Sequence, residues 1–105
     1  MNRGICTEIA EFQVVTGISD ENFISIVEKL EEDFHSQQAG FINSELVKGN
    51  EPSQWLILQH WGSVAEAKEA SKNMMKDPIT EDFRKSLDPK TVKIRYLENI
   101  QNWEK

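Results

Sequence analysis

His60 and Trp61 are neighbours at the boundary between an apolar, β-prone stretch and a helix-like one, in the run LILQHWGSVAEA at residues 56–67. An imidazole titrates near neutral pH and can act as a general acid or base. An indole ring offers a flat wall to a planar ligand and is equally suited to filling a protein core. We predict catalytic roles for both residues. Because side chains alternate along a strand, these roles would belong to opposite faces of a sheet.

The sheet face that carries His60 is expected to hold three further polar side chains. By alternation, Glu11 and Gln13 of the first predicted strand and Arg95 of the last one share this face. A cluster of Glu11, His60 and Arg95 could be catalytic, but such groups more often form a hydrogen-bonded structural network. We predict that the cluster lies at a dimer face.

The face that carries Trp61 is predicted to form a pocket between the sheet and the helices. Aromatic and methionine side chains suit irregular apolar pockets, and a tyrosine hydroxyl would add a polar group. The predicted substrate-binding residues, beside Trp61, are Phe12, Phe34, Trp55, Met74, Met75, Phe83 and Tyr96. The alternative is that these side chains pack together as an ordinary core. The ligand we expect is small and either apolar or aromatic.

Hydrophobic periodicity predicts the elements that must position these residues. A first helix begins after the N-cap Ser19 and ends towards Gly40, and a second follows the capping box of Ser63 and Glu66. The predicted strands cover 5–15, 41–47, 54–61 and 91–98, the second helix covers 64–76, and a further helical piece covers 79–88. The order is βαββαβ, which is typical of an α+β, ferredoxin-like fold with a four-stranded antiparallel sheet and two helices on one face.

The uncovered face of such a sheet should be polar, yet here it is partly apolar. Leu56 and Leu58 of the third strand would share it with Ile5, Ile9 and Val15 of the first. An apolar patch of this width usually marks an interface, and its burial is worth roughly 25 cal/mol per Å² before association costs. We therefore predict a homodimer joined through its sheets, a dimeric α/β barrel; the alternative is a solvated face.

Composition excludes several classes of function. The 105 residues are expected to form a single domain, residues 1–105, and carry a net charge of −6. Lysines and arginines are scattered among acids, so we expect no nucleic-acid partner and no docking onto an anionic membrane. No apolar run has the length of a signal peptide or a membrane span. We expect a cytoplasmic protein.

Cysteine and histidine usage gives little support for redox or metal chemistry. Cys6 is the only cysteine, so an intrachain disulfide is impossible; we expect a small strand residue, with a reactive thiol as the alternative. The two histidines, His35 and His60, are far apart, and no His/Cys/carboxylate spacing matches a metal site. We predict no metal and no cofactor.

Four stretches together resemble the antibiotic biosynthesis monooxygenase (ABM) domain family of dimeric α/β barrels. They are TEIAEFQVVTGISDENF, AGFINSELVKG, LILQHWGSVAEAKEA and DPKTVKIRYLENI, and they span nearly the whole chain. The resemblance implies a dimer whose two sheets form a barrel. Some members oxidise polycyclic aromatic substrates with molecular oxygen and no metal or flavin, others degrade haem, and many have no known activity. It therefore implies a fold more firmly than a reaction.

The haem-degrading members of the family use an Asn on the first strand, a Trp ending the third and a His on the second helix. Alignment puts the Trp at Trp61, the Asn near Ala10 and the His near Ser71. Neither alanine nor serine can ligate haem iron as imidazole does, although His35 or His60 could supply an iron ligand from another position. We expect an ABM-like small-molecule binder, and the enzyme interpretation is a cofactor-independent monooxygenase. A non-catalytic binding or stress-related module is the alternative, followed by a haem-binding relative.

Overall fold

A computed structural model describes residues 5–105 of the chain, and its central feature is one antiparallel sheet. The spatial order of its strands is β2-β3-β1-β4. The strands are β1 (Cys6–Gln13), β2 (Phe41–Lys48), β3 (Gln54–Trp61) and β4 (Lys93–Glu98). The helices are α1 (Asp20–Asp33), α2 (Val64–Met74) and the short α3 (Glu81–Ser86). The predicted α+β, ferredoxin-like fold with a four-stranded antiparallel sheet is confirmed.

Strand β3 shows why the sheet has a covered and an uncovered face. Trp55, Ile57 and Trp61 are buried, whereas Leu56 and Leu58 between them are only half-buried. This period-two pattern is the one read from the sequence. The apolar residues of α1 and α2 pack on the same side as the buried set. The helices therefore cover one face of the sheet and leave the other open.

Helix α1 begins where the sequence predicts and ends earlier. The Ser19 hydroxyl accepts a hydrogen bond from the Asn22 N–H at 3.1 Å, which caps the helix. The helix ends at Asp33 and a 3₁₀ turn, His35–Gln37, follows it. This tighter turn lets two consecutive side chains, Phe34 and His35, both face the interior.

Gly40 links that 3₁₀ turn to β2. Its φ of +85° lies in the left-handed region, which glycine adopts without strain. Its carbonyl accepts a hydrogen bond from the Gly62 N–H at 2.7 Å. The start of β2 is thereby held beside the end of β3.

The C-terminal part of the chain departs from its predicted boundaries. Helix α2 ends at Met74, two residues early, and the predicted helical piece over 79–88 is α3 flanked by the 3₁₀ turns Pro78–Thr80 and Pro89–Thr91. Strand β4 begins at Lys93, because Thr91 is still in its turn, where its hydroxyl accepts from the Gln13 N–H at 2.9 Å. That bond also marks the end of β1. Within residues 5–105, no helix is long and apolar enough to cross a membrane.

Candidate functional site

A cavity of about 340 Å³ lies between the covered face of the sheet and helices α2 and α3. Its volume falls within the range of small-molecule sites in proteins. Most of its wall is apolar: the lining residues are Glu8, Ala10, Phe12, His35, Ile57, Gln59, Trp61, Ala70, Ser71, Met74, Met75, Phe83, Arg84, Leu87, Pro89, Val92 and Ile94. The side chains in this region therefore leave room beside Trp61 instead of closing completely on one another.

Five of the aromatic and methionine residues predicted from the sequence line the cavity: Phe12, Trp61, Met74, Met75 and Phe83. Trp61 is the deepest of them, with no exposed surface. Met75 lies at the rim, with 69% of its surface exposed. The predicted apolar wall beside Trp61 is therefore present around these residues.

Three predicted lining residues are not part of the cavity wall. Trp55 packs beneath α1, with its ring centroid 5.2 Å from that of Phe23, and Phe34 packs against His35. Tyr96 sits behind Ser71, since their hydroxyls are hydrogen-bonded at 2.6 Å. Phe34, Trp55 and Tyr96 lie outside this wall because the open space is beside α2 and α3, while α1 seals its part of the sheet; their substrate-binding role stays a prediction.

A buried carboxyl forms one polar group of the cavity wall. Glu8 of β1 is only 6% exposed, and its Oε1 accepts a hydrogen bond from Trp61 Nε1 at 3.0 Å. Burial raises the pKa of the Glu8 carboxyl above its ordinary value, because the charged form loses its hydration; the nearby His35 and the Trp61 N–H oppose this rise. Sequence reasoning missed Glu8, although it is the only acid among the covered-face positions of β1.

A second set of polar side chains lies beside the cavity: His35 and Gln59 line it, and Glu31 holds both of them. His35 is 4% exposed and pairs through Nδ1 with Glu31 Oε2, one helical turn earlier. Gln59 Nε2 donates to the other carboxyl oxygen of Glu31 at 3.3 Å. The His35 ring lies edge-on to Trp61, with centroids 6.0 Å apart. The spacing of four between Glu31 and His35 was the sequence signal for this pair.

His60 lies on the uncovered face, opposite the cavity, as alternation predicts. Its Nδ1 is 2.8 Å from Asn43 Oδ1, and its partner on β1 is Thr7. Glu11 pairs with Leu56 instead. Glu11 lies four residues beyond Thr7 on β1, which is about 13 Å at the usual rise of a strand. His60 and Glu11 therefore share a face without forming a contact pair.

The predicted network of Glu11, Gln13 and Arg95 around His60 does not form in the described chain. Glu11 accepts from Gln54 Nε2 at 2.9 Å, and Gln13 Nε2 donates to Glu51 at 3.2 Å. Arg95 is exposed and pairs with Ile9. Alternation assigns a residue to a face but not to a register, so the role of these residues at a dimer face stays a prediction. His60 is outside the cavity group, and its catalytic role remains an expectation.

Cys6 and Tyr96 are neighbours of Glu8 in the sheet, but they are not exposed nucleophiles. Cys6 is fully buried, and that burial is the main reason why the pKa of its thiol is raised. Burial likewise raises the pKa of the Tyr96 hydroxyl. A buried thiol with a raised pKa is poorly reactive, which supports the interpretation of Cys6 as a small strand residue.

The three positions aligned with the Asn, Trp and His of the haem-degrading family members all line the same cavity. Ala10, Trp61 and Ser71 line it together, and neither the methyl group nor the hydroxyl can replace an imidazole. His35 also lines it, but its Nδ1 is engaged by Glu31. Among residues 5–105, no group of three or more His, Cys, Asp or Glu residues could hold a metal ion. The residues present do not fit the known haem-degrading arrangement.

Comparisons with known proteins identify the fold. No family model matches the chain, and no curated protein matches it. Several solved structures do. SnoaB from Streptomyces nogalater, a cofactor-independent oxygenase, is 14% identical, with 96% of each chain covered and a TM-score of 0.63.

Two further solved structures carry the ABM name. A candidate antibiotic biosynthesis monooxygenase from Caulobacter crescentus is 14% identical, with 95% of this chain and 93% of that chain covered and a TM-score of 0.69. Another from Chloroflexus aurantiacus is 13% identical, with 95% and 97% covered and a TM-score of 0.66. At such identities the likeness shows the fold. The resemblance to the ABM family is confirmed at that level.

Proposed function

We propose that this protein binds a small, flat, mostly apolar molecule in the cavity beside Trp61. The observation that carries the proposal is the cavity itself, an apolar space of about 340 Å³ with a few polar groups on its wall. Burial of apolar ligand surface supplies the affinity in such sites, and the polar groups orient the ligand. A molecule of two or three fused rings suits a space of this size.

A cavity-filling substitution on α2 tests this proposal. Ala70 is buried and lines the cavity, so Ala70→Leu adds methyl groups inside the space available to the ligand. Ala65 lies on the exposed side of the same helix, so Ala65→Leu is the matched control. We expect titration with naphthalene, followed by tryptophan fluorescence, to give a Kd at least about tenfold weaker for Ala70→Leu and unchanged for Ala65→Leu. Equal binding by both folded variants would contradict the cavity assignment.

The second candidate function is cofactor-independent oxygenation in the same cavity. It is supported by the fold shared with SnoaB, which is described as a cofactor-independent oxygenase, and by the polar groups beside Trp61. An electron-rich substrate can react with oxygen once a base has removed its proton, and an apolar wall orients and desolvates it. His35, paired with Glu31, and Glu8 are the groups of the wall that can move a proton.

Oxygen uptake separates turnover from binding alone. With hydroxylated polycyclic aromatic compounds, an oxygenase consumes oxygen, whereas a non-catalytic binding or stress-related module binds the compounds without uptake. We expect Trp61→Ala and His35→Gln to lower the uptake. His60→Ala tests the catalytic role predicted for His60, which lies on the other face and would have to act indirectly. A haem-binding function would instead give a Soret shift on addition of haemin, which the donor set of this cavity does not favour.

We also propose that the protein is a homodimer joined through the uncovered faces of its sheets. Ile9 pairs with Leu58, and Val47 pairs with Leu56, which forms a continuous apolar stripe across β1, β3 and β2. Leu97 of β4 extends it and is 44% exposed. Stacking against a second copy removes the stripe from water without involving the helices.

A further inference from the structure

Among residues 5–105, Glu8 is a buried carboxyl that makes no ion pair. The ion pairs found within residues 5–105 join other residues, and the one hydrogen bond that Glu8 makes there is the bond it accepts from Trp61 at 3.0 Å. A buried carboxylate is costly unless it is paired with a positive charge. Burial raises the pKa of Glu8, although His35 and the Trp61 N–H oppose that rise, so the position favours the protonated form more than water does.

Within residues 5–105, the positively charged groups near Glu8 are engaged by other residues. On the sheet it is flanked by Gln59 and Tyr96, and on its own strand by Cys6. Glu31 of α1 adds a second negative charge nearby, and its effect on the pKa of Glu8 opposes that of His35. The remaining cations of this region are Lys68 of α2, which lies over the Tyr96 ring, and Arg84 of α3, whose Nε donates to Thr80 Oγ1.

The second oxygen of the Glu8 carboxyl faces the cavity. Oε1 is occupied by the Trp61 N–H, and Oε2 has no hydrogen-bond partner among the residues that the structure describes. Glu8 nevertheless belongs to the cavity wall, and no fully buried side-chain oxygen in the described part of the chain lacks a partner. The accessible oxygen is therefore Oε2, and the accessible space is the cavity.

We infer that Glu8 acts as a neutral hydrogen-bond donor to the ligand, so that the cavity selects uncharged flat molecules carrying a carbonyl oxygen. The proton on Oε2 is donated to the ligand carbonyl, while Oε1 remains held by Trp61. A carboxylate of the same shape would lose its hydration against a mostly apolar wall, in which the Nε of Arg84 is engaged by Thr80. This inference rests on the proposed binding function, since it names the class of ligand for the same cavity.

Naphthalene and three of its derivatives test whether the cavity selects a carbonyl oxygen. They are naphthalene, 2-acetonaphthone with a carbonyl, 2-naphthoate with a carboxylate, and 1-naphthylmethylamine with a cation. We expect 2-acetonaphthone to bind the full chain about five- to tenfold more tightly than naphthalene, as one hydrogen bond allows. We expect 2-naphthoate to bind more weakly than naphthalene. Tighter binding of the amine than of the ketone would overturn the inference, because it would indicate an ionised Glu8.

Two substitutions of Glu8 identify the donor. Glu8→Gln retains an N–H donor, so the preference for the ketone should persist and become independent of pH. Glu8→Leu has no donor, so the preference should disappear while naphthalene still binds. In the unmodified protein the preference should be lost as the pH rises through the raised pKa of Glu8, since the carboxylate has no proton to donate. A pH dependence that survives in Glu8→Gln would assign it to another group and overturn the inference.

A control and a separate failure mode complete the experiment. Glu11→Gln makes the same substitution on the uncovered face of the same strand and should leave all four affinities unchanged. Circular dichroism checks that each variant is folded. If naphthalene binds but the ketone has no advantage, the donor role of Glu8 is wrong while the binding function stands. If none of the four probes binds the unmodified protein, the binding function fails as well.

Discussion

Trp61 belongs to the cavity wall, and its ring nitrogen donates a hydrogen bond to Glu8. The same side chain is therefore both a wall for the ligand and the donor that holds a buried carboxyl. The sequence interpretation gave Trp61 a binding role and a core role with equal weight, since one residue can have both. At this residue they coincide, because indole has a large apolar surface and a single polar N–H at its edge.

Trp61→Phe separates these two roles. Phenylalanine keeps an aromatic ring but removes the N–H, which leaves Glu8 Oε1 buried without its donor. We expect the free energy of unfolding to fall by about 1–3 kcal/mol, measured by urea denaturation. Trp103→Phe is the matched control, since Trp103 is 86% exposed, and it should change stability little. Equal effects of the two substitutions would show that the bond to Glu8 contributes nothing.

Glu8 should also make stability depend on pH. Burial raises the pKa of its folded form, so above the ordinary value of 4.5 the unfolded chain releases a proton that the folded chain retains. The unfolded state then binds fewer protons, and the free energy of unfolding decreases as the pH rises from 4.5 until the raised pKa is passed. Urea denaturation at several pH values should reveal this decrease in the unmodified protein.

The Glu8→Gln variant should lack that component of the pH profile, because an amide does not titrate in this range. Glu11→Gln, on the uncovered face of the same strand, should keep the profile of the unmodified protein. Profiles that are the same for Glu8→Gln and the unmodified protein would contradict a protonated, buried Glu8.

At the scale of elements, helix α2 forms one wall of the cavity. It contributes Ala70, Ser71 and Met74, whereas the opposite wall belongs to the hydrogen-bonded sheet. The helix has 11 residues, too few to be stable alone in water, so its end contacts matter. Its N-terminus is held by Ser63, whose hydroxyl oxygen accepts from the Glu66 N–H at 3.1 Å.

Removing this cap should weaken the wall. We expect Ser63→Ala to lower the free energy of unfolding by about 1 kcal/mol, since the Glu66 N–H loses its acceptor. Ser25→Ala, at an exposed position inside α1, is the control and should be neutral or slightly stabilising, because alanine favours helix. Thermal and urea denaturation measure both variants. A loss for Ser25→Ala as large as that for Ser63→Ala would contradict a specific capping effect.

At the scale of the whole molecule, the two faces of the sheet have different roles. The covered face holds the cavity and its polar groups, and the uncovered face holds the apolar stripe with His60 at one end. His60 is bonded to Asn43 and lies away from the cavity, so its effect on ligand binding would be indirect. The proposed dimer interface and the proposed binding site can therefore be altered separately.

Leu58→Glu tests the dimer. Leu58 lies between Ile9 and Glu45 in the stripe, so a glutamate there brings a charge into the proposed interface and beside an existing acid. We expect the unmodified protein to sediment as a dimer at micromolar concentration and Leu58→Glu to sediment as a monomer. Ile24 of α1 is 46% exposed and lies away from the proposed interface, so the control Ile24→Glu should remain dimeric. A stable monomer of the unmodified chain would refute the interface.

Much of the architecture follows from local patterns that the sequence itself determines. Alternation predicts the covered residues of β1 and β3, and the Ser19 and Ser63 caps predict where α1 and α2 begin. These patterns are local because strand period, helix period and capping depend on residues a few positions apart. They also identify Trp61 and several other cavity residues as members of the covered face.

Only the tertiary structure decides which polar groups meet. Glu8, His35 and Gln59 come from β1, the turn after α1 and β3, and they converge on one cavity. Sliding one strand past another by two residues preserves every alternation, so the sequence pattern cannot tell whether His60 meets Thr7 or Glu11. Likewise, the filled space beneath α1 and the open space beside α2 and α3 depend on how helices of similar apolar character pack against the sheet.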